Sequence, residues 1–229
     1  MLTSFLRDLR YAFRTLGRNP GFACVSVLAL ALGIGANSAI FTVVNSVLLQ
    51  PLRYPKPEQL VLVRERNLKA GFPEFSVSPG NYVGYRDQNH SFSGIAAFGE
   101  AGFNLAGGGE PERLAGTRVT REFFDVLGRK PAMGRNFTAQ ETKLGSHHVA
   151  ILSHGLWQRR FAGSREVLGQ TVKLNDELYT VIGVMPPAFQ LPGRTEIWTP
   201  LAMNLANWQQ RGGHYLNAIG RLKAGTTLA

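Results

Sequence analysis

The chain has 229 residues, 44% hydrophobic and 17% charged, with a formal net charge of +10. That balance excludes a disordered chain and a multi-span membrane protein, and the chain is long enough for one domain with a real core or two small subdomains. The charge does not mark a nucleic-acid binder, because no Lys/Arg run exceeds two residues and no basic stripe carries interleaved aromatics.

Residues 1–20 carry Arg7, Arg10, Arg14 and Arg18 against one acid, Asp8, while Phe5, Leu6, Leu9, Phe13 and Leu16 recur at helical spacing. This predicts a basic amphipathic segment along the anionic inner leaflet of a bilayer. No charged residue lies between Arg18 and Arg53, and residues 21–49 read as a transmembrane helix. Its apolar part, 22–49, would be about 40 Å long as a helix, against a hydrocarbon core of about 30 Å. The last turns are expected to emerge near Asn45 and Ser46, with Pro51 as the stop. A signal peptide has an apolar region of only about 7–15 residues, and a buried core helix of this length would carry charge on some face.

Positive residues beside a span stay in the cytoplasm. The N-terminus is therefore expected inside a bacterial inner membrane and the chain after Leu52 outside it, although Arg53 and Lys56 weaken the bias. Ala31, Gly35 and Ala39 lie four residues apart and form a possible helix-packing face, since small residues let another helix approach closely in lipid. Asn37 and Asn45 are costly to leave facing hydrocarbon. The single cysteine, Cys24, lies within the apolar stretch, so the rest of the chain cannot form a disulfide within itself.

Residues 50–57 contain three prolines and predict a stiff linker. A strand is expected over 59–64, followed by a Gly/Pro-marked loop. Ser78 and Pro79 signal a helix start before a short helix at 82–88. Residues 92–105 read as one or two strands, 107–109 as a turn, 112–120 as a strand, and 121–127 as a short helix closed by Gly128. A strand at 149–152 precedes a helix at 155–161. The clearest hairpin joins 171–174 to 178–184 through Asn175 and Asp176, which tolerate the positive φ of such turns. Residues 197–201, with Pro200, predict an edge strand. Residues 214–222 read as a last strand, and Gly225 as the approach to another helix.

Chemistry-bearing constellations are not evident. Gly107–Gly109 is not followed by the Gly-Lys-Ser/Thr of a phosphate loop and reads as a turn. His147 and His148 could be half of a metal site, but no Cys or Glu-x-x-His cluster supports them and they read as solvated. Ser153 and His154 are not read as a dyad, because neighbours on a strand point to opposite faces. Trp157 is expected to pack inward with Arg159 and Arg160 in water. No catalytic, cofactor-binding or metal-binding residue is assigned, and no enzymatic activity is expected.

Taken in order, several stretches resemble the N-terminal part of MacB/FtsX-type permeases of the ABC class, as in orphan permeases with a duplicated unit. They are LRYAFR from Leu9, NPGF from Asn19, LALGIGAN from Leu30, GEPER from Gly109, FFDVLG from Phe123, LSHGLWQRRF from Leu152, YTVIGVMP from Tyr179 and RLKAG from Arg221. The resemblance implies an α+β periplasmic core domain, a split porter-like α/β part with an inserted small subdomain, tethered by one N-terminal transmembrane helix. It implies further permease helices, a separate cytoplasmic ABC ATPase and a permease dimer as partners. It also implies a role in transmitting force across the membrane, for efflux, lipoprotein extraction or control of cell-wall hydrolases. By the same resemblance the domain at 50–229 is expected to be incomplete at its C-terminus. The alternative readings are a membrane-anchored periplasmic interaction module with no transport activity of its own, or a non-functional fragment.

Overall fold

The computed structural model describes residues 7, 11, 14, 17–44, 54–107, 109–187, 189 and 191–226. The chain falls into two units, Met1–Leu52 and Arg53–Ala229. The first unit contains helix α1 (Pro20–Val44). Proline suits its first position, where the missing N–H would have had no intrahelical partner. Within the apolar run, Thr42 Oγ1 donates to the Ser38 carbonyl at 2.7 Å, so this hydroxyl is satisfied by the helix itself. The expected emergence at Asn45 and Ser46 and the stop at Pro51 lie outside the described residues.

The second unit runs β1 (Leu60–Val63), β2 (Glu65–Asn67), β3 (Phe72–Phe75), α2 (Pro79–Gln88), β4 (Phe92–Ala106) and β5 (Glu112–Val119). It continues with α3 (Phe123–Val126), β6 (Met133–Gly134), β7 (Val149–Leu152), α4 (His154–Phe161), β8 (Thr171–Leu174) and β9 (Glu177–Val184). The last elements are β10 (Ile197–Pro200), α5 (Leu205–Gln209) and β11 (Asn217–Leu222). Nine of the strands form one sheet in the order β1-β11-β4-β5-β10-β7-β9-β6, with β8 bridging β4 and β9. β1 pairs antiparallel with β11, so the two ends of the unit are joined and the chain between them is bracketed. That is the topology of a split part carrying an insertion.

Strand β4 is 15 residues long and takes part in two arrangements. Its first half pairs with β11 and its second with β5. Its last residues meet β8, closing the circuit β4–β5–β10–β7–β9–β8. The two-residue period of the strands sorts side chains between cores. Ala96, Phe98, Ile151, Ile182, Trp198 and Ile219 join Phe123 and Phe124 of α3 in one core. Phe103, Leu105, Ala150, Leu152, Val181 and Ile197 join Leu156 of α4 in a second. A third core packs Ile95, Ala97 and Ala218 with Tyr82 of α2.

The first core is aromatic. Trp198 is fully buried, its Nε1 donates to the Leu191 carbonyl at 3.1 Å, and its ring lies 5.2 Å from Phe189 and 6.0 Å from Phe124. In the third core, helix α2 starts as the sequence predicts. Ser78 Oγ accepts from Asn81 N at 3.3 Å and Pro79 sits just inside. Tyr82 is fully buried, and its hydroxyl lies 3.4 Å from both the Ile95 carbonyl and Thr120 Oγ1.

Four expectations need correction. Residues 197–200 are not an edge strand, because β10 lies between β5 and β7 and is buried throughout. Pro200 is tolerated because it is the strand's last residue, and Leu201 N takes over by donating to the Val119 carbonyl at 2.7 Å. The loop after β1 holds the β2–β3 hairpin, a two-stranded sheet of its own. The regular part of the helix at 121–127 is only Phe123–Val126, and its end is set by Gly128, at φ +64, donating to the Asp125 carbonyl at 2.9 Å. The last strand begins at Asn217 rather than His214, with Leu216 making an isolated bridge to Val77. The helix expected after Gly225 lies outside the described residues.

The Asn175–Asp176 turn has the expected positive φ values, 48° and 68°. Asn175 does more than turn the chain. Its Oδ1 accepts from Asn104 N at 2.8 Å and its Nδ2 donates to the Gly102 carbonyl at 3.2 Å, stitching the hairpin to β4. Asn175→Gly keeps the turn but removes both bonds, and is expected to cost about 1–2 kcal/mol in urea unfolding. Burial, the largest influence, pushes the Tyr82 phenol up from 10.0 to about 12. The folded state therefore holds this proton more tightly, so the contribution is complete below pH 10 and lost as pH rises through about 12. Alkaline unfolding of Tyr82→Phe should show a smaller loss of stability across that window than the parent protein.

Candidate functional site

Helix α1 is exposed along its described side chains except at Ala23 and Ser26, and apolar residues such as Phe22, Leu28, Leu32 and Ile40 point outward all round it. Among the described residues it is the one helix long and apolar enough to cross a membrane. A helix that is hydrophobic on every side and exposed in this way is suited to lipid. Ala31, Gly35 and Ala39 fall on one face through the helical i, i+4 repeat, and Gly35 has open space where a side chain would begin. Arg7, Arg14 and Arg18 are helical and exposed, while Arg10 lies outside the described residues.

In the second unit, the residues singled out from sequence are not brought together as a reaction centre. Ser153 and His154 stand at a helix start rather than on a strand. Ser153 Oγ is the cap of α4, accepting from Leu156 N at 3.1 Å, and His154 lies edge-on to Trp157 at 5.3 Å. They therefore form no nucleophile–base pair. His147 and His148 stack with ring centres 4.3 Å apart, and His148 Nε2 faces Glu177 Oε2 at 3.4 Å. Burial and the neighbouring His148 both pull the His147 imidazole below its ordinary value. Among the described residues no group of three or more His, Cys, Asp or Glu is placed to hold a metal.

Trp157 packs against the second core and donates from Nε1 to the Ser164 carbonyl at 2.8 Å. The expectation of arginines simply in water needs revision for both. Arg159 Nη2 bridges Glu112 Oε1 at 2.5 Å and Glu196 Oε1 at 2.7 Å, which ties α4 to β5 and to the approach of β10. The two carboxylates raise the Arg159 guanidinium above its ordinary value, Glu196 first. Arg160 reaches back toward the Gly107 carbonyl at 3.4 Å. Beside this network lies an open groove of about 760 Å³, lined by Ser153, His154, Arg159, Arg194, Glu196 and Phe189 among others.

A buried carboxylate escaped the sequence reading. Glu65 is 7% exposed. Its Oε2 lies 2.8 Å from His214 Nδ1, and its Oε1 accepts from Ser78 N at 3.3 Å. The pair links β2 to the start of α2 and to the segment before β11. Its members are far apart in the chain and neither lies in a motif, so only the fold could reveal them.

The family model of the MacB-like periplasmic core domain matches residues 23–229. Among solved structures, the chain is similar to a domain described as that of a permease protein from Porphyromonas gingivalis, at 18% identity and TM-score 0.58, over 76% of this chain and 79% of that one. It is also similar to the periplasmic region of MacB from Actinobacillus actinomycetemcomitans, at 16% identity and TM-score 0.54, over 74% and 77%. A third similarity is to the extracellular domain of the noncanonic ABC-type transporter YknZ from Gram-positive bacteria, at 18% identity and TM-score 0.51, over 72% and 84%. At these identities the structural likeness concerns the fold alone. No curated protein matches the chain.

Proposed function

This chain belongs to the family of MacB-like periplasmic core domains, and from that premise we propose that it is a permease component of an ABC-type transport or mechanotransmission system. In this reading residues 1–20 lie on the cytoplasmic surface and 21–49 cross a bacterial inner membrane. Residues 50–229 form the periplasmic core domain. A separate cytoplasmic ATPase drives movements of the membrane helices, and the domain outside receives them. The chain itself performs no bond chemistry.

One observation carries the proposal: an apolar helix long enough to span opens the stretch of chain that matches this family. Two further features support it. The exposed Arg7, Arg14 and Arg18 favour a cytoplasmic N-terminus. The face of Ala31, Gly35 and Ala39 suits a second transmembrane helix, either from a permease dimer or from another part of the same assembly.

Orientation and anchoring are tested together. In a Cys24→Ser background, Gln170→Cys, on the exposed surface, is expected to react with a membrane-impermeant maleimide in intact spheroplasts, and the protein should resist alkaline extraction. Labelling only after lysis would invert the topology, and extraction into the soluble fraction would remove the anchor. Gly35→Leu should weaken self-association or recovery of an ABC ATPase from solubilised membranes, while leaving the Gln170→Cys labelling unchanged.

A further inference from the structure

Residues 54–56, the first described after α1, are held at several points. Tyr54 packs against the aromatic core, edge-on to Phe189 at 6.0 Å, and the Arg129 guanidinium lies 5.7 Å from the centre of its ring. Pro55 sits on Gly128, where an added Cβ would come within 3.2 Å of Pro55 Cγ. Lys56 takes a left-handed φ of 49°, and its carbonyl accepts from Gln59 N at 3.0 Å as the chain turns into β1. Ring packing, close backbone approach and a tight turn thus meet within residues 54–56.

Arg221 joins them. It lies on β11 directly opposite Leu60 of β1, and its guanidinium reaches past the strand pair. Nε donates to the Val126 carbonyl at 2.7 Å, and Nη1 donates to the carbonyls of Pro55 at 2.9 Å and Lys56 at 3.3 Å. Val126 ends α3, so its carbonyl is one that the short helix cannot satisfy internally. Hydrogen bonds from a charged donor are stronger than neutral ones, and a planar guanidinium can fix three acceptors at once. Burial draws the Arg221 guanidinium below its ordinary value, with Glu58 opposing, as befits a cation partly withdrawn from water.

We infer that Arg221 is a positioning residue that fastens residues 54–56 to the closing strand β11 and to α3, so that a displacement delivered at Tyr54–Lys56 is passed to the sheet and aromatic core. This mechanical role rests on the reading of the chain as a span joined to a domain outside the membrane. The fastening itself does not. A flexible tether would absorb displacement, whereas a segment locked at 54–56 passes it to β1, β11 and α3 together.

The test is hydrogen exchange on the full chain in detergent or nanodiscs, following peptides that cover residues 54–60. Arg221→Gln is expected to accelerate exchange there by roughly tenfold, with β7 and β9 peptides unchanged. Arg221→Lys, which keeps the charge but not the fork, should fall between the two. Tyr54→Leu, which leaves Arg221 in place, gives a second and milder release should Arg221→Gln fold poorly. An unchanged 54–60 segment, or equal acceleration throughout the domain, would overturn the fastening. Maleimide labelling of Gln170→Cys in the same variants reports separately on topology. Exterior labelling with unaltered exchange sinks the inference and leaves the functional reading standing. Inverted labelling with accelerated exchange sinks that reading and leaves the lock in place.

Discussion

The pairing of β1 with β11 is the constraint on which the second unit depends. It joins the strand nearest the apolar helix in sequence to the last strand of the domain. The chain between them supplies the rest of the same sheet, and β4 is long enough to serve neighbours on both parts of it. One part of β4 continues the sheet begun by β1 and β11, and the other begins the closed circuit that ends at β8. Closing a sheet on itself removes open edges along that circuit. β1 and β6 are left at the ends of the sheet order.

Three cores share this one backbone, and the alternation of side chains along each strand keeps them distinct. The aromatic core around Trp198 and Phe124 lies where α3, the approach to β1 and the loop around Phe189 converge. Aromatic side chains bury much area at a low cost in ordering, and offset or edge-on contacts add to it. The core of the closed circuit is mainly aliphatic and is held from outside by Arg159 between two carboxylates. That bridge is half-exposed, so it adds orientation more than stability. Tyr82 and Glu65 do the corresponding work beside the third core as buried polar groups that find partners, Glu65 with the exposed His214 among them.

Polar side chains here have structural duties: Ser153, which looked chemically suggestive, caps a helix, Asn175 closes a seam, and Arg221 holds the backbone at Pro55 and Lys56. Fastening of residues 54–56 and distributed packing behind them are what this domain would need if a displacement at one end were to reach the other.

The apolar run of α1, its lack of charge and the basic leader are properties of composition, so the sequence alone determined that a lipid-compatible helix stands before the domain. Local signals determined much else: the Ser78 cap, Gly128 at a helix end, the β7 strand and the Asn175–Asp176 hairpin, because each depends on residues within one turn or one strand pair. Tertiary structure decided what no local signal could carry. Pro200 suggested an edge, yet β10 is interior because its neighbours β5 and β7 come from distant parts of the chain. Glu65 and His214 became partners, and Arg221 became a clamp, only when β1 met β11. Pairing across long sequence separations is set by the total burial achieved, and that sum cannot be read from any single window of residues.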